Sequence, residues 1–374
     1  MILFDSIIIG GGPAGASAGE MMARAGLKTL ILEKATMPRY KCCAGGLPLK
    51  LVELLGFAPD RLEGKEIRGI VFSWKSGSRR FLESRTPLGW VVKREEFDRL
   101  LLSRAAAAGA EIRQGEEFLR LRQSESGVTV RSDRGEYRAR TVIGADGAAG
   151  RVSRQLKLGG YKREGFALEA RVSPGVREMR DRGAYLYFDF GSVRRGYAWI
   201  FPRSDHLSVG VATRYRRFTD ARRSLAGYLA REGLVDENPV TFIRGGKLAF
   251  NPFCRGLVRG RCLLAGDAAG LTDPLSGEGI FGAIISGRLA AGAIIDYLEK
   301  GSGLKRYRRS VWKNLGSELA LADLISRVED LFPRWIFRRV FSRESSARKA
   351  AAVVQGRLTY RRLLIEKLTS LLKR

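Results

Sequence analysis

The sequence predicts an α/β (α+β) chain: a nucleotide-binding domain assembled from separated segments, an antiparallel-sheet domain inserted between them, and a C-terminal helical region. Three observations predict it. The chain opens with an apolar strand, a glycine turn, a helix and a second apolar strand, the βαβ order of a Rossmann-like unit. Apolar runs ending in glycine and an acid return at 142–147 and 263–270. Short alternating runs fill 67–92 and 161–250.

In order, residues 2–9 read as a buried strand, Pro13 to Ala25 as a helix closed by Gly26, and Lys28–Glu33 as the second strand. A loop rich in Pro, Lys, Cys and Gly runs from Lys34 to Pro48. Ile67, Ile70, Phe72 and Trp74 alternate before the Ser76-Gly77-Ser78 turn, and Phe81 and Val91 after it. Glu95 to Ala108 is helical, with Phe97, Leu100, Leu101 and Ala105 on one face. Strands around 117–121, 127–132 and 136–144 lead to Ala145-Asp146-Gly147. Phe166–Val172, Tyr185–Phe190, Tyr197–Phe201 and Leu207–Thr213 are strands, Gly279 to Leu298 is a long helix, and 304–374 is helical throughout. The boundaries that follow are 1–64, 93–155 and 252–300 for the nucleotide-binding domain, 65–92 and 156–251 for the sheet domain, and 301–374 for a basic helical region.

The formal charge of +28 narrows the partners to nucleic acid, an anionic membrane surface or a polyanionic substrate, unless it is only a solvated arginine-rich surface. A nucleic-acid reading has charge as its sole support, with no aromatic-basic recognition motif. Four cysteines, at 42, 43, 254 and 262, are too few and too oddly placed for a secreted disulfide scaffold, which points to a reducing cytoplasm. With a single histidine, His206, and no paired zinc spacing, no metal is expected. Ile7-Ile8-Ile9 is too short to span a bilayer and lacks the basic leader of a signal peptide. The longest apolar stretch, Ile280 to Leu298, is interrupted by Arg288 and Asp296, so any membrane association is expected to be peripheral, at the inner face.

Gly10-Gly11-Gly12-Pro13-Ala14-Gly15 carries the GxGxxG spacing between strand and helix. Gly10 permits the tight turn, Gly12 lets a pyrophosphate approach the backbone, and Gly15 lets helix pack on strand. The helix N-terminus then receives the phosphates. Glu33, followed by Lys34, is placed to accept ribose hydroxyls. Ala145-Asp146-Gly147 alone is an ordinary turn. Gly266-Asp267 ends a third strand and is followed by Asp273-Pro274-Leu275 and Gly277-Glu278-Gly279-Ile280. Asp267 suits a polyol such as a ribityl chain, and the helix after Gly279 points N–H groups toward a flavin pyrimidine edge. NAD has no ribityl chain, so the expected cofactor is FAD.

On these residues the sequence resembles the para-hydroxybenzoate-hydroxylase-like flavoproteins, and within them the geranylgeranyl reductase family. The broad resemblance rests on Gly10–Gly15, Glu33, Arg94 before the Phe97–Leu101 helix, Ala145-Asp146-Gly147 and Gly266-Asp267; it implies that Arg94 and Asp267 contact FAD. The narrower one rests on Pro38-Arg39-Tyr40-Lys41-Cys42-Cys43-Ala44-Gly45-Gly46-Leu47, similar to the family's PxxKxCG loop. It rests also on Tyr197-Ala198-Trp199-Ile200-Phe201-Pro202 with Gly210, similar to YxWxFP and its trailing glycine. Ala44 departs from the family's usual glycine. The resemblance covers roughly 1–300 and implies saturation of isoprenoid double bonds on a prenyl lipid, prenyl diphosphate or prenylated quinone or pigment. Electrons come from NAD(P)H or a ferredoxin-type donor.

In that reading Cys43 lies near flavin and substrate as proton donor or positioning group, with Ala44 and Gly45 beside the cofactor. Otherwise Cys43 is a small packing residue in a tight loop. Lys41 meets a substrate phosphate or is solvated. Tyr197, Trp199 and Phe201, ahead of Pro202, share one strand face, either the wall of an isoprenoid tunnel or sheet core. A monooxygenase or halogenase of the same fold is the alternative; the halogenase WxWxIP differs at its first and fifth positions. His206 reads as a surface residue in a hairpin turn.

The stretch 331–374 holds twelve Lys/Arg against two Glu. Phe332, Trp335, Ile336, Val340 and Phe341 interleave with Arg334, Arg338 and Arg339 at helical spacing. Leu358, Leu364, Ile365, Leu368, Leu371 and Leu372 do so with Arg357, Arg361, Arg362 and Lys367. Such helices suit an anionic lipid surface, or pack their apolar stripe on the body of the protein.

Overall fold

The computed structural model describes residues 3–56, 62–158, 162–173, 175, 182–234, 240–341 and 343–372. The side chains of Lys367, Leu368, Leu371 and Leu372, part of the basic apolar pattern above, lie outside the described residues. Two compact units emerge: Met1–Tyr40 with Glu95–Glu164 and Leu248–Ala320, and Lys41–Arg94 with Gly165–Lys247 and Leu321–Arg374. The Cys42-Cys43 loop thus falls in the second unit, and the C-terminal helices divide at Ala320. The sequence reading placed these breaks at 64 and 300.

In the first unit the strand Leu3–Ile9 is flanked in parallel by Thr29–Glu33 and Glu136–Gly144, with Glu111–Gln114 and Cys262–Leu264 outside them. Ile7, Ile8 and Ile9 are all buried because both faces of a parallel sheet are covered. The register pairs Ile9 with both Leu32 and Gly144, and Gly144 with Leu264. Three strands therefore end side by side, and the three glycine-acid turns leave one carboxyl edge.

The helix Pro13–Arg24 has Pro at its start, where its missing N–H costs nothing, and a buried face of small residues from Ala14 to Gly19. A side chain at Gly19 would press on Ile31 of the sheet. The long helix Ile280–Lys300 lies against it so closely that a Cβ on Gly287 would overlap the carbonyl oxygen of Ala14. By length and composition this helix could cross a bilayer, yet it buries Ile280, Gly282, Ala283, Ile284, Gly287 and Ala290. Arg288 sits near Glu20, and burial holds its guanidinium below the usual arginine range. Glu20 also binds Arg24 and Arg104.

The second unit holds a seven-stranded sheet, in order Val240–Phe250, Arg163–Val172, Leu207–Thr213, Gly196–Pro202, Tyr185–Phe190, Gly69–Trp74 and Arg79–Glu83. It is not antiparallel throughout, as the sequence pattern implied. Tyr185–Phe190 runs parallel to Gly69–Trp74, because these strands come from separate insertions and share no hairpin. Alternation gives the sheet two different faces. Leu168, Ala170, Ile200, Val209 and Val211 pack with Leu225, Tyr228 and Leu229 of the helix Ala221–Arg231. The opposite face carries Phe72, Phe188, Phe190, Tyr197, Trp199 and Phe201.

The C-terminal stretch is helical as expected but broken into pieces: Arg306–Val311, a π turn at Trp312–Gly316, Ser317–Leu331, Pro333–Phe341, Glu344–Gln355 and Tyr360–Leu372. Phe337 and Phe341 are the inward anchors, with Phe341 tilted over Phe72 at 4.3 Å between ring centroids. Replacing Gly287 by Val is expected to cost about 1–3 kcal/mol by forcing the two helices apart. It would show as a lower urea midpoint; an unchanged midpoint would mean the contact is not tight.

Candidate active site

At the carboxyl edge of the parallel sheet the backbone does what side chains cannot. Gly10 has φ +107°, and a Cβ there would overlap the carbonyl of Ala145. Gly10 N–H donates to Leu32 O and Ala145 N–H to Ile9 O, each at 2.8 Å. Any side chain at Gly15 would collide with Gly10 O, so that helix turn rests directly on the glycine turn. Gly12, by contrast, faces space: the nearest atom to an added Cβ is Arg39 Nη2 at 3.5 Å. Pro13 and Ala14 are buried in the first helical turn, whose N–H groups have no partner within a helix.

Glu33 ends the second strand with its carboxylate fixed. It accepts N–H from Gly11 at 2.8 Å and from Ala35 at 3.1 Å, and Arg39 lies at 3.5 Å. Arg39 also reaches fully buried Asp98 at 3.3 Å. Lys34, next along, is exposed.

Asp146 and Gly147 leave the neighbouring strand. Asp146 Oδ2 accepts the N–H of Val152 at 2.9 Å, whereas Oδ1 is buried with no hydrogen-bond partner among the described residues. Burial pushes this carboxyl above its ordinary range. Gly150 is small because a Cβ there would strike the Asp146 carboxylate. Lys162 spans from this turn to the next, donating to Ser153 Oγ at 2.8 Å and Ala268 O at 2.9 Å. Burial lowers its pKa, opposed by the charges of Asp146 and Asp267 among others.

Gly266 has φ +59° and donates its N–H to Ser286 Oγ. Asp267 Oδ1 accepts from Thr272 Oγ1 at 3.0 Å and lies 3.1 Å from where a Cβ on Gly279 would sit. Asp273 caps the N–H groups of Leu275 and Ser276, which turns the chain through Pro274 to Gly277 at φ +72° and so to Gly279 and Ile280. The open ground above Gly12, the unpartnered Asp146 oxygen and the carboxylates of Glu33 and Asp267 on one edge fit a dinucleotide.

In the second unit Cys43 is held by its backbone. Its N–H donates to Glu169 Oε2 at 3.0 Å, and its carbonyl accepts from Arg203 Nη2 at 2.8 Å. Arg203 also donates to Val92 O, and Gly45 O accepts the N–H of Val92. Gly45, at φ +77°, lies so near that carbonyl that no side chain fits. Glu169 is buried, accepts from Ser208 Oγ at 2.6 Å and lies 3.7 Å from Arg203. Cys43 Sγ accepts the N–H of Gly45 at 3.4 Å. Lys41 and Ala44 are half-buried, and Arg94 is buried at the start of the helix Arg94–Ala107.

Trp199 donates Nε1–H to Ser208 at 3.3 Å, and its six-membered ring occupies the place where a Cβ on Gly210 would sit. That contact accounts for the glycine eight residues after Pro202, itself buried. Tyr197 is half-buried, Trp199 and Phe201 are buried, and Phe188 meets Tyr197 and Phe201 edge-on at 5.7 and 5.4 Å.

An FAD binding domain model matches residues 4–188. Digeranylgeranylglycerophospholipid reductase 1 of Methanopyrus kandleri is 34% identical over 326 residues, 82% of this chain and 85% of that one. The chain belongs to the geranylgeranyl reductase family. It is an FAD-dependent oxidoreductase, and FAD is its cofactor. Geranylgeranyl diphosphate reductase of Rhodobacter capsulatus is 32% identical, with 84% of this chain and 81% of that one covered. Among solved structures, a geranylgeranyl bacteriochlorophyll reductase-like protein from Thermoplasma acidophilum aligns with TM-score 0.82 at 22% identity, covering 94% of this chain and 96% of that one. A flavin-dependent brominase aligns at TM-score 0.74 and 20% identity, over 95% and 94% of the two chains, sharing the fold.

Within this geranylgeranyl reductase family member, Glu169, Arg203 and Lys162 escaped the sequence reading. Glu169 had a signal, a lone carboxylate inside the apolar strand Phe166–Val172; Arg203 and Lys162 had none against so many other cations. His206, expected at the surface, is buried instead. It does lie in the Arg203–His206 turn, with Nδ1 2.8 Å from Asp205 Oδ1. Leu207 and Arg203 are buried beside it in the chain, so the turn tucks inward. Burial and the Arg203 charge hold its pKa below the ordinary 6.5.

The unfolded chain therefore binds more protons just below pH 6.5, and stability should rise with pH from the folded midpoint up to 6.5. As the single histidine, its ring protons can be followed directly by NMR; a midpoint at or above 6.5 would contradict the burial. Glu169→Ala should cost about 3–5 kcal/mol in urea unfolding, since it leaves a buried arginine without its carboxylate.

Proposed function

We propose that this chain saturates geranylgeranyl-type double bonds of a prenyl lipid, prenyl diphosphate or prenylated quinone or pigment. The carrying observation is the clamp on Cys43, whose amide and carbonyl are fixed by buried Glu169 and Arg203. The names of the two reductases above support the same reading. Bound FAD, when reduced, supplies hydride.

An isolated alkene accepts hydride poorly, so a proton must be ready for its other carbon. Cys43 Sγ is our candidate to hold that proton, with Gly45 N–H stabilising the sulfur when it is released. Tyr197, Trp199, Phe201 and Pro202 supply an apolar wall that excludes water, and Lys41 meets a phosphate of the substrate. For the cofactor, Gly10, Gly12, Pro13, Ala14 and Gly15 hold the pyrophosphate, Glu33 and Lys34 the adenosine end, and Asp267 the ribityl chain. Ala145, Asp146, Gly147, Arg94, Gly266, Pro274, Gly277, Gly279 and Ile280 complete the holding set, with Cys43, Ala44 and Gly45 beside the ring. The electron donor is NAD(P)H or a ferredoxin-type protein, and the place of action is the inner face of an anionic membrane.

The brominase likeness keeps an oxygen-dependent halogenase or monooxygenase as the second reading. Cys43→Ala should lower the yield of saturated product, followed by mass spectrometry, about 100-fold or more while FAD absorbance is retained. Full turnover in that variant would remove Cys43 from the mechanism.

A further inference from the structure

Helical hydrogen bonds continue across the break before Pro333, from Phe332 N–H to Val328 O at 3.1 Å and from Ile336 N–H to Phe332 O at 2.9 Å. Leu324, Val328, Leu331, Phe332 and Trp335 therefore follow one another along a single helical face. They are 56, 40, 70, 58 and 62% exposed, although Phe337 and Phe341 of the same stretch are turned onto the sheet. Large apolar side chains left in water in an unbroken row mark a contact surface.

The charges around the row are sorted by sign. Glu329 and Asp330 turn away from it to receive Arg214, and Asp330 also lies 3.7 Å from Arg195. Arg327, Arg334, Arg338 and Arg339 are exposed. Of these Arg327 pairs with buried Asp323 at 3.0 Å. What this face offers a partner is thus apolar bulk with a tryptophan, fringed by arginines, with its nearby carboxylates engaged inward.

We propose that this row is a docking face for an anionic lipid bilayer, with Leu331, Phe332 and Trp335 entering the interface and Arg334 and Arg338 among the headgroup phosphates. Apolar insertion and attraction to anionic lipid reinforce each other in such helices, and tryptophan favours the interfacial depth. The net charge of +28 adds a long-range pull toward the same surface. The face is read from exposure and charge and does not rest on the reductase activity.

The test is flotation of the FAD-loaded protein with phosphatidylglycerol–phosphatidylcholine vesicles, with tryptophan quenching by brominated lipid. Binding that rises with phosphatidylglycerol and falls with salt is expected. Leu331→Ser/Phe332→Ser/Trp335→Ser, all at exposed positions, should weaken it at least about ten-fold at unchanged thermal midpoint. Arg334→Glu/Arg338→Glu should abolish the preference for anionic lipid. Trp335→Phe should still float but lose most of the quenching. No flotation of the parent, equal flotation of the triple-serine protein, or undiminished quenching in Trp335→Phe would each overturn the proposal. So would a dimer in sedimentation that the triple substitution splits without vesicle binding, which would make the row a contact between two copies.

Discussion

Close backbone approach at one edge of the parallel sheet is the constraint on which the rest depends. Gly10 lies against Ala145, Gly15 against Gly10, and Gly287 against Ala14, so two helices and three strand ends meet with no side chain between them. Only glycine tolerates both the positive φ at Gly10 and the missing volume at the contacts. What it leaves uncrowded is Gly12, where an added Cβ would meet only Arg39 Nη2 at 3.5 Å, while Glu33 ends, and Asp146 and Asp267 follow, the neighbouring strands. The same glycines thus create close packing and leave an edge that fits a dinucleotide.

A second constraint, electrostatic in kind, governs the Cys43 loop. Five consecutive small residues, Cys42 to Gly46, have little side chain with which to fix themselves. Their conformation is imposed from outside by Glu169 and Arg203, two buried opposite charges that hold the Cys43 amide and carbonyl, with Glu169 also bound by Ser208 Oγ and Arg203 by Val92 O. Burying such a pair gains little net stability, but it specifies a geometry. The proposed reaction, proton delivery to one carbon of an alkene, calls for specified geometry more than for stability.

How much was legible follows from what kind of force leaves a local mark. Backbone constraints write glycines at fixed spacing, so the glycine turns and the strand ends they follow could be read from the chain, whereas Gly210 was legible only as a patterned glycine and its contact with Trp199 was not. Long-range pairings leave no such mark. The parallel match of Tyr185–Phe190 with Gly69–Trp74 and the Glu169–Arg203 clamp depend on residues far away in sequence. The C-terminal helices show the mixed case: their amphipathic pattern was plain, but both faces are apolar. Only tertiary packing decides that Phe337 and Phe341 turn inward while Phe332 and Trp335 stay out.

The central claim is that electrons leave this flavoprotein for a prenyl double bond. Holoenzyme reduced to the colourless state and mixed with a geranylgeranyl lipid under strictly anaerobic conditions tests it most directly. Return of the oxidised flavin spectrum, with a matching gain of two hydrogens per bond in the lipid, is the result expected. A flavin that stays reduced until oxygen is admitted, with the lipid unchanged, would contradict the account.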